Sequence, residues 1–320
     1  MKIAFVIAVM AIAFLPSVPA SAQNNRTFVS GGGNDTNNTA CSPTAPCRSF
    51  TQAISVTNAG GEIVVLDSAG YGPFTIGKAI TITAIGVEAA ISISDTNAGA
   101  DGIDISAGTT DAVNLNGLTL IGDGNGTTGI SLESAGSLNI QNCSISGFSN
   151  DGIFLGGTAT TSVSDTILSN NGQNGVEFDP SAATSASFLR VQMLGNQVGF
   201  YLENFNASGT AVSASLEDSV LANSSTNVGI HVQSSSNPTT TTVNLSNSQV
   251  FNNKVGLDAD NATINLEQVT LFGNGSLGGY EISGSGVINT FRTTVNTTVS
   301  NGNYIVDTTH TGTLTANAPQ

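Results

Sequence analysis

The chain has 320 residues, only 9% of them charged, and its formal net charge is −15. This acidic balance disfavours nucleic acid and anionic membranes as partners and leaves cations and neutral glycans. The polar composition, with 37 Gly and no Trp, would indicate disorder if the apolar residues were not so regularly spaced.

The first 22 residues have the pattern of a secretory signal peptide. Lys2 is followed by an apolar run over residues 3–15 and by Ala20-Ser21-Ala22, small residues typical of a cleavage site. The apolar run is too short to span a bilayer as a helix. We therefore predict that residues 1–22 are removed and that residues 23–320 form a secreted protein without membrane insertion, periplasmic or extracellular in a bacterium.

Two cysteines lie close together in the next segment. Cys41 and Cys47 flank Ser-Pro-Thr-Ala-Pro, a stretch rich in turn-forming residues. Because an exported chain enters an oxidising compartment, we predict a local disulfide between them. Metal binding by the two thiols is the alternative.

Seven copies of one pattern occupy the middle of the chain. Two segments of alternating apolar residues flank a turn residue, and a glycine opens a third segment nine to twelve residues after that turn residue. Alternation with period two predicts β-strands. The turn residues are Gly117, Asn142, Asp165, Arg190, Asp218, Asn247 and Gln268. The opening glycines are Gly129, Gly152, Gly175, Gly199, Gly229, Gly256 and Gly279.

Irregular repeats of about two dozen residues are typical of stacked coils. Coils stacked ~4.8 Å apart bury a continuous core and pair each strand in parallel with its neighbours. The preferred hand of parallel crossovers favours right-handed coils. The sequence thus predicts an all-β, three-sheet, right-handed parallel β-helix, a monomeric rod with one domain over 23–320 and its repeats at about 60–315. Cys143 falls at a core position and is predicted to be unpaired.

The turns and loops are predicted from composition and spacing. Asn150-Asp151, Asn170-Asn171 and Asn252-Asn253 suit left-handed backbone conformations, which is a structural role. The longer spacings after Arg190 and Asp218 predict loops at 206–209 and 233–238, and loops on a rigid scaffold often carry specificity.

The third strands predict two rows of solvent-facing side chains. If the residue after each opening glycine points inward, the next one points outward, and stacking aligns these residues. The first row comprises Asp104, Ser131, Phe154, Glu177, Tyr201, His231, Asp258 and Glu281. The second row comprises Glu133, Asp179, Glu203, Gln233 and Asp260.

The candidate functional residues come from these rows. Asp179 and Glu203 are expected ~5 Å apart, where like charges raise one pKa or recruit a cation such as calcium. Paired carboxylates also suit glycoside hydrolysis. The catalytic candidates are Glu177, Asp179, Glu203 and His231. The binding candidates are Phe154, Tyr201, Asp258 and Asp260, with the aromatic rings as platforms for sugars. An ordinary solvated acidic face is the alternative.

Three segments resemble secreted right-handed β-helix proteins of the pectate-lyase-like superfamily. They are Arg26-Thr-Phe-Val-Ser-Gly, the stretch from Cys41 to Ile54, and Gly60-Gly-Glu-Ile-Val-Val-Leu. The likeness extends from about Arg26 to the C-terminus. It implies a short amphipathic helix around residues 49–56 that caps the first coil, with its buried face formed by Phe50, Ala53, Ile54 and Val56.

The resemblance does not select a function, because the superfamily contains pectate lyases, polygalacturonases and tailspikes. The polygalacturonase signatures Asn-Thr-Asp, Asp-Asp, Gly-His-Gly and Arg-Ile-Lys do not occur in this sequence. No glycine-opened strand carries the outward Arg or Lys that a pectate lyase needs as its base. We favour a non-catalytic exported protein that binds a glycan, a cation or another surface. The alternative is a polysaccharide hydrolase or lyase that uses the acidic rows.

Overall fold

The computed structural model describes residues 24–207, 210–224, 228–235, 240–275, 280–296 and 313–316. The predicted signal peptide and Gly279 lie outside these ranges. No helix within them is long and apolar enough to cross a membrane. The described chain is a solenoid of three parallel sheets, as the repeats predict, with one α-helix, α1 (Phe50–Val56), and one 3-10 turn (Asp95–Asn97).

The strands are distributed over the three sheets in a repeating order. Sheet 1 contains β1 (Asn24–Val29), β2 (Thr57–Val65), β5 (Ile80–Thr83), β8 (Ala112–Asn116), β11 (Ser137–Gln141), β14 (Thr160–Ser164), β17 (Thr184–Leu189), β20 (Val212–Glu217), β23 (Thr241–Ser246), β26 (Thr263–Glu267), β29 (Val287–Phe291) and β31 (Thr313–Ala316). Sheet 2 contains β3 (Ala69–Gly70), β6 (Ala89–Ser92), β9 (Leu118–Ile121), β12 (Ser144–Ser146), β15 (Ile167–Ser169), β18 (Gln192–Leu194), β21 (Val220–Ala222), β24 (Gln249–Phe251), β27 (Thr270–Phe272) and β30 (Thr294–Asn296). Sheet 3 contains β4 (Phe74–Ile76), β7 (Ile103–Ser106), β10 (Ile130–Ser134), β13 (Ile153–Leu155), β16 (Asn174–Phe178), β19 (Val198–Asn204), β22 (Val228–Ser234), β25 (Val255–Asp260) and β28 (Tyr280–Ser283).

A left-handed residue follows each sheet 1 strand of the repeats and begins the short turn to the next sheet 2 strand. All seven predicted turn residues have φ between 48° and 79°. Arg292, at φ 48° and 24 residues after Gln268, continues the series. Since only one or two residues separate the two strands, the chain must turn sharply there, and the first of these residues adopts this sparsely allowed conformation.

The opening glycines form a column because their backbones lie against each other. A Cβ on Gly152 would be 2.7 Å from the carbonyl oxygen of Gly175, and one on Gly229 would be 2.7 Å from that of Gly256. Real Cβ atoms essentially never come that close to a backbone oxygen, so the column admits no side chain. The glycines therefore allow sheet 3 to begin at the same point in successive coils.

The core fills the space between the sheets with alternating inward residues. Cys143 is 3% exposed and unpaired, as predicted, and burial raises the pKa of its thiol to about 11. The predicted disulfide between Cys41 and Cys47 is present, with Cα atoms 4.9 Å apart. The predicted loop at 233–238 is partly wrong, because Gln233 and Ser234 belong to β22 and continue its hydrogen-bonded pairing.

The predicted capping helix is confirmed as α1. The Ser49 hydroxyl accepts a hydrogen bond from the Gln52 N–H and so caps its start. Phe50, Ala53 and Ile54 are buried, and Val56 is partly buried against the core. The helix packs on β1, β2 and β4, so it covers the N-terminal end of the solenoid.

Candidate functional site

The first predicted row is present on the outer face of sheet 3. Ser131 pairs with Asp104 on one side and with Phe154 on the other, and Glu177 pairs with Tyr201. The series continues in register through His231, Asp258 and Glu281. In the second row Glu203, Gln233 and Asp260 are likewise neighbours. The strand period therefore placed most of these side chains. It is wrong for Ser131, which is buried, and for Glu133, where the register shifts so that Ser134 pairs with the preceding strand.

A shallow depression of about 270 Å³ lies on this face where the row passes from Glu177 to His231. Its lining combines amides, a carboxyl group and two aromatic rings. The lining residues are Gln173, Asn174, Glu177, Gln197, Val198, Tyr201 and His231.

Tyr201 is held firmly at the centre of the depression. Its hydroxyl donates to Glu203 Oε2 at 2.8 Å and also contacts the Gln233 side-chain amide. Its ring centroid is 5.0 Å from that of His231, with 30° between the ring planes. The ring also packs against a small cluster of valines, Val198, Val228 and Val255. Burial, and then the Glu203 carboxylate, raise the pKa of Tyr201, so its hydroxyl stays protonated and continues to donate.

Glu177 belongs to a carboxyl pair that the sequence analysis did not find. Asp151, which is 5% exposed, lies in hydrogen-bonding contact with Glu177. The Asn174 amide donates to both carboxyls, to Asp151 Oδ1 at 2.8 Å and to Glu177 Oε2 at 3.0 Å. Burial, and then the neighbouring Asp151 carboxyl, raise the pKa of Glu177 to about 7, and burial raises the pKa of Asp151. Both shifts favour protonation of the pair at a higher pH than that of isolated carboxyls.

In the candidate cation pair, Asp179 and Glu203, both carboxyl oxygens of Asp179 are poorly accessible to a cation from solvent. Asp179 Oδ2 accepts a hydrogen bond from Asn206 Nδ2 at 2.7 Å, while its Oδ1 is buried without a hydrogen-bond partner. Burial is the main cause that raises the pKa of Asp179, and the Glu203 charge adds to it. Within the described residues, no group of three or more His, Cys, Asp or Glu side chains could hold a metal ion.

Of the remaining candidates, His231 lines the depression, while Phe154, Asp258 and Asp260 lie along the same face outside it. Phe154 is one strand before Glu177, and its ring lies over Gly156. His231 Nε2 is 3.4 Å from Asp258 Oδ2, but burial lowers the pKa of this histidine and so disfavours the charged form of the contact. Asp260 Oδ1 accepts from the Asn261 amide at 3.1 Å. The structure thus brings together Glu177, Tyr201, Glu203 and His231.

The missed residue Asp151 occupies a recognisable position, directly before an opening glycine. The residues at this position begin as polar and become apolar along the solenoid: Asp101, Thr128, Asp151, Asn174, Val198, Val228 and Val255. Asp101 Oδ1 accepts the Thr128 N–H at 3.0 Å, much as Asp151 Oδ1 accepts the Asn174 N–H at 3.0 Å. Aligning the sequence on the glycines would have shown the change from polar to apolar residues, and the depression lies at this change.

Comparison with known proteins agrees with this architecture. A family model described as "Right handed beta helix region" matches residues 54–208 and 101–271, more than half of the chain. The chain therefore belongs to the right-handed β-helix family, and its coils are right-handed. A sequence search of curated proteins finds no match.

Several solved structures share the fold at low sequence identity. Pectate lyase Pel9A is 15% identical with a TM-score of 0.51, and the match covers 92% of this chain and 78% of the lyase. Alginate lyase from Paenibacillus sp. str. FPU-7 is 14% identical with a TM-score of 0.52, covering 85% of this chain and 97% of the lyase. Tailspike protein 2 from Escherichia coli O157:H7 bacteriophage CAB120 is 12% identical with a TM-score of 0.54, covering 83% of this chain and 39% of the tailspike. At these identities the likeness establishes the fold alone.

Proposed function

We propose that this protein is exported and binds a polysaccharide or cell-surface glycan at the Tyr201 depression without degrading it. The observation that carries the proposal is the fixed aromatic ring of Tyr201 among hydrogen-bonding groups. A sugar has an apolar C–H face and a rim of hydroxyls, so it needs one aromatic surface flanked by donors and acceptors. Tyr201 offers the surface, and Glu177, Gln173 and Gln197 offer the polar groups.

The absence of a lysine or arginine base from the described strands of sheet 3 supports binding without turnover. Elimination from an acidic polysaccharide requires a group that removes a proton from carbon, and the described strands of sheet 3 contain no Lys or Arg. The face is also acidic, so it repels an anionic polymer. A neutral glycan is the ligand class that suits both features. The solved neighbours include a pectate lyase and an alginate lyase, which adds to the case for a glycan.

Glycoside hydrolysis is the second candidate because the pKa of Glu177 is raised to about 7, mainly by burial. A carboxyl group with a raised pKa can act as general acid, while an ionised partner acts as base. Glu203 is one strand further and two residues along from the position opposite Glu177, so strand geometry places the two side chains about 8 Å apart. That separation falls in the range used by inverting glycosidases, roughly 6.5–9.5 Å.

A retention assay tests the binding proposal. Immobilised neutral and acidic polysaccharides are incubated with the wild-type protein and with Tyr201→Ala, which removes the ring. Phe272→Ala is the control, because it truncates a partly exposed aromatic residue on sheet 2. We expect retention on a neutral glycan that Tyr201→Ala reduces and Phe272→Ala does not. Equal retention of all three proteins would refute the proposal.

Product analysis separates binding from hydrolysis. A hydrolase would release reducing ends from the retained glycan, and Glu177→Gln would lower that release by orders of magnitude while retention persisted. A lyase would release unsaturated products instead. We expect neither product from the wild-type protein.

Calcium and export are proposed on separate grounds. Asp179 and Glu203 are the pair that would attract a cation, so Asp179→Asn combined with Glu203→Gln should abolish any calcium dependence of retention. Export rests on the signal-like N-terminus and on the disulfide, which suits an oxidising compartment. N-terminal sequencing of the protein from a bacterial periplasm or culture medium is expected to begin at Gln23.

A further inference from the structure

The outer face of sheet 1 differs in chemistry from that of sheet 3. From β8 to β29 its strands pair without a register shift, so its outward side chains form straight files. The central file is Asn114, Asn139, Ser162, Ser187, Ser215, Asn244, Asn265 and Asn289. The corner file, next to the left-handed turn residues, is Asn116, Gln141, Ser164, Leu189, Glu217, Ser246, Glu267 and Phe291. Hydroxyls and amides make up the whole central file and half of the corner file.

These two files line a trough. A hollow of about 480 Å³ extends over β11, β14, β17 and β20, and another of about 570 Å³ extends over β23, β26 and β29. The hollows lie end to end because β20 pairs with β23. Seven strands at ~4.8 Å spacing give the trough a length of about 29 Å along the solenoid axis. Both hollows are larger than the Tyr201 depression.

The trough has few charged residues, and its net charge is negative. Asp165 and Arg190, at its corner, neutralise each other through two hydrogen bonds of 2.6 and 2.7 Å. Glu217 and Glu267 are the other charged residues among those that line the two hollows. The lining therefore has a formal net charge of −2, from Glu217 and Glu267.

Side-chain hydrogen bonds between coils hold part of the lining in place. The Asn265 amide donates to Asn244 Oδ1 at 2.8 Å, and the Asn289 amide donates to Asn265 Oδ1 at 2.8 Å. Each amide in such a chain keeps polar atoms that can face a ligand. Because the amides are already ordered, a ligand loses little further side-chain entropy when it binds them.

We propose that this trough binds an extended, uncharged polysaccharide chain lying parallel to the solenoid axis. The regular file of hydroxyls and amides matches the repeated hydroxyls of such a chain, and the length of the trough fits several sugar units. An anionic polymer is opposed by Glu217 and Glu267 and by the net charge. An apolar partner would leave the lining's donors and acceptors without partners. The site is separate from the Tyr201 depression because it lies on a different sheet.

Calorimetric titration with neutral linear oligosaccharides tests the proposal. The probes are β-1,4-linked glucose, mannose and xylose oligomers and β-1,3-linked glucose oligomers, from disaccharide to octasaccharide, with oligogalacturonate as the anionic comparison. We expect at least one neutral series to bind with an affinity that rises with chain length until the trough is spanned. The octasaccharide is expected to bind roughly tenfold or more tightly than the disaccharide.

Two substitutions on one strand separate the trough from its surroundings. Ser187 and Ser185 are both exposed on β17, but only Ser187 lines the hollow. Ser187→Trp should fill the trough and weaken binding roughly tenfold or more, while Ser185→Trp should leave it within about twofold. Ser215→Trp, also exposed in the same hollow, repeats the test if Ser187→Trp misfolds by circular dichroism.

Tyr201→Ala distinguishes this proposal from the proposed function. It should leave length-dependent binding unchanged if the trough is the site, whatever its effect at the sheet 3 depression. The inference is overturned if no neutral series binds, if oligogalacturonate binds more tightly, or if affinity does not rise with length. It is also overturned if Ser185→Trp weakens binding as much as Ser187→Trp, or if Tyr201→Ala abolishes it.

Discussion

At the scale of single residues, the left-handed turns include residues whose type disfavours positive φ, because the repeat requires a turn at that position. Asn, Asp and Gly occupy five of the seven predicted turn positions, as their tolerance of positive φ leads one to expect. Arg190 and Gln268 do not share that tolerance, yet they adopt φ 53° and 54°. The two-residue connection between sheets 1 and 2 imposes the conformation on them, at a cost of about 1 kcal/mol each.

Gln268→Asn should therefore stabilise the protein. Asn adopts the left-handed conformation more easily than Gln, so we expect the free energy of unfolding to rise by about 0.5–1 kcal/mol. Denaturant titration followed by circular dichroism measures it. Gln249→Asn is the control, because Gln249 is exposed in an ordinary strand, where Asn is disfavoured. A gain at position 249 that equals the gain at 268 would contradict this account.

The carboxyl pair of Asp151 and Glu177 should make stability depend on pH. The folded-state pKa of Glu177, about 7, is above its ordinary value of 4.5. The folded state therefore holds a proton that the unfolded chain has lost between those values, and stability falls as the pH rises through this window. We expect the unfolding midpoint in denaturant to be lower at pH 8 than at pH 5.

Glu177→Gln should reduce that pH dependence and raise stability at pH 8, because the amide keeps hydrogen-bonding groups without a charge. Glu217→Gln is the matched control, since Glu217 is exposed on sheet 1. The assignment is wrong if the midpoint of Glu177→Gln varies with pH as much as that of the wild type.

Sequence reasoning placed Glu177 and Tyr201 but missed Asp151, for a physical reason. The outward row follows from strand alternation, which holds whatever the lengths of the intervening turns. Asp151 lies in the turn before its strand, and its contact with Glu177 depends on how that turn folds against the next coil. Its residue type was assigned to turn chemistry alone, whereas its 5% exposure makes it a buried acid.

At the scale of elements, a ladder of buried asparagines joins successive coils at the turn between sheets 2 and 3. The main-chain and side-chain N–H groups of Asn171 both donate to Asn196 Oδ1 at 3.0 Å. Asn253 makes the same two bonds to Asn274 Oδ1 at 3.1 Å. The left-handed prediction is confirmed at Asn170 and Asn252, and the residue after each forms the ladder. It is wrong for Asn150-Asp151, where neither residue has positive φ.

Ser224 interrupts this ladder. It occupies the position between Asn196 and Asn253, and its hydroxyl oxygen is buried without a hydrogen-bond partner. Ser224→Asn would supply an amide that can bond both neighbours, so we expect the free energy of unfolding to rise by about 1 kcal/mol. Thermal and denaturant unfolding measure the change.

Ser248→Asn is the matched control for this prediction. Ser248 is equally buried, but its hydroxyl already donates to the Ser246 carbonyl at 2.6 Å and accepts from the Ser219 N–H at 3.0 Å. A larger side chain there should overpack and destabilise the protein. Loss of stability in both variants would show that the site at Ser224 has no room for an amide.

At the scale of the whole molecule, the repeat made the fold predictable because each coil contacts mainly its neighbours. The ends of the stack were less predictable, since nothing in the repeat describes them. A parallel stack leaves a row of unpaired N–H and C=O groups at each end, and such edges favour association with other chains. The N-terminal end is covered by α1 and by the aromatic contacts of Phe50, whose ring is 5.2 Å from that of Tyr71 and 4.5 Å from that of Phe74.

Hydrogen bonds to Asp67 stabilise the N-terminal end of the solenoid next to α1, which has few buried residues of its own. Asp67 accepts hydrogen bonds from the Ser30 hydroxyl at 2.6 Å, the Gly31 N–H at 2.7 Å and the Tyr71 hydroxyl at 2.7 Å. These bonds, led by that of Ser30, lower the pKa of Asp67, so the carboxylate stays ionised at mildly acidic pH. The disulfide between Cys41 and Cys47 closes the loop that leads into the helix. A closed loop of this size adds about 2 kcal/mol in the chain-entropy model.

Detaching the cap should convert a monomer into an end-to-end oligomer. Phe50 is 1% exposed, and Phe50→Asp would bury an unpaired carboxylate at a cost of several kcal/mol unless the helix moves away. Movement of the helix exposes the edge of the stack, where strands of a second molecule can pair. Light scattering after size-exclusion chromatography should show a wild-type monomer and concentration-dependent larger species for Phe50→Asp.

Thr51→Asp is the matched control, since Thr51 is exposed on the first turn of α1, where a negative charge favours the helix. Association of Thr51→Asp to the same extent, or a monomeric Phe50→Asp with a native circular dichroism spectrum, would show that α1 does not keep the stack from associating.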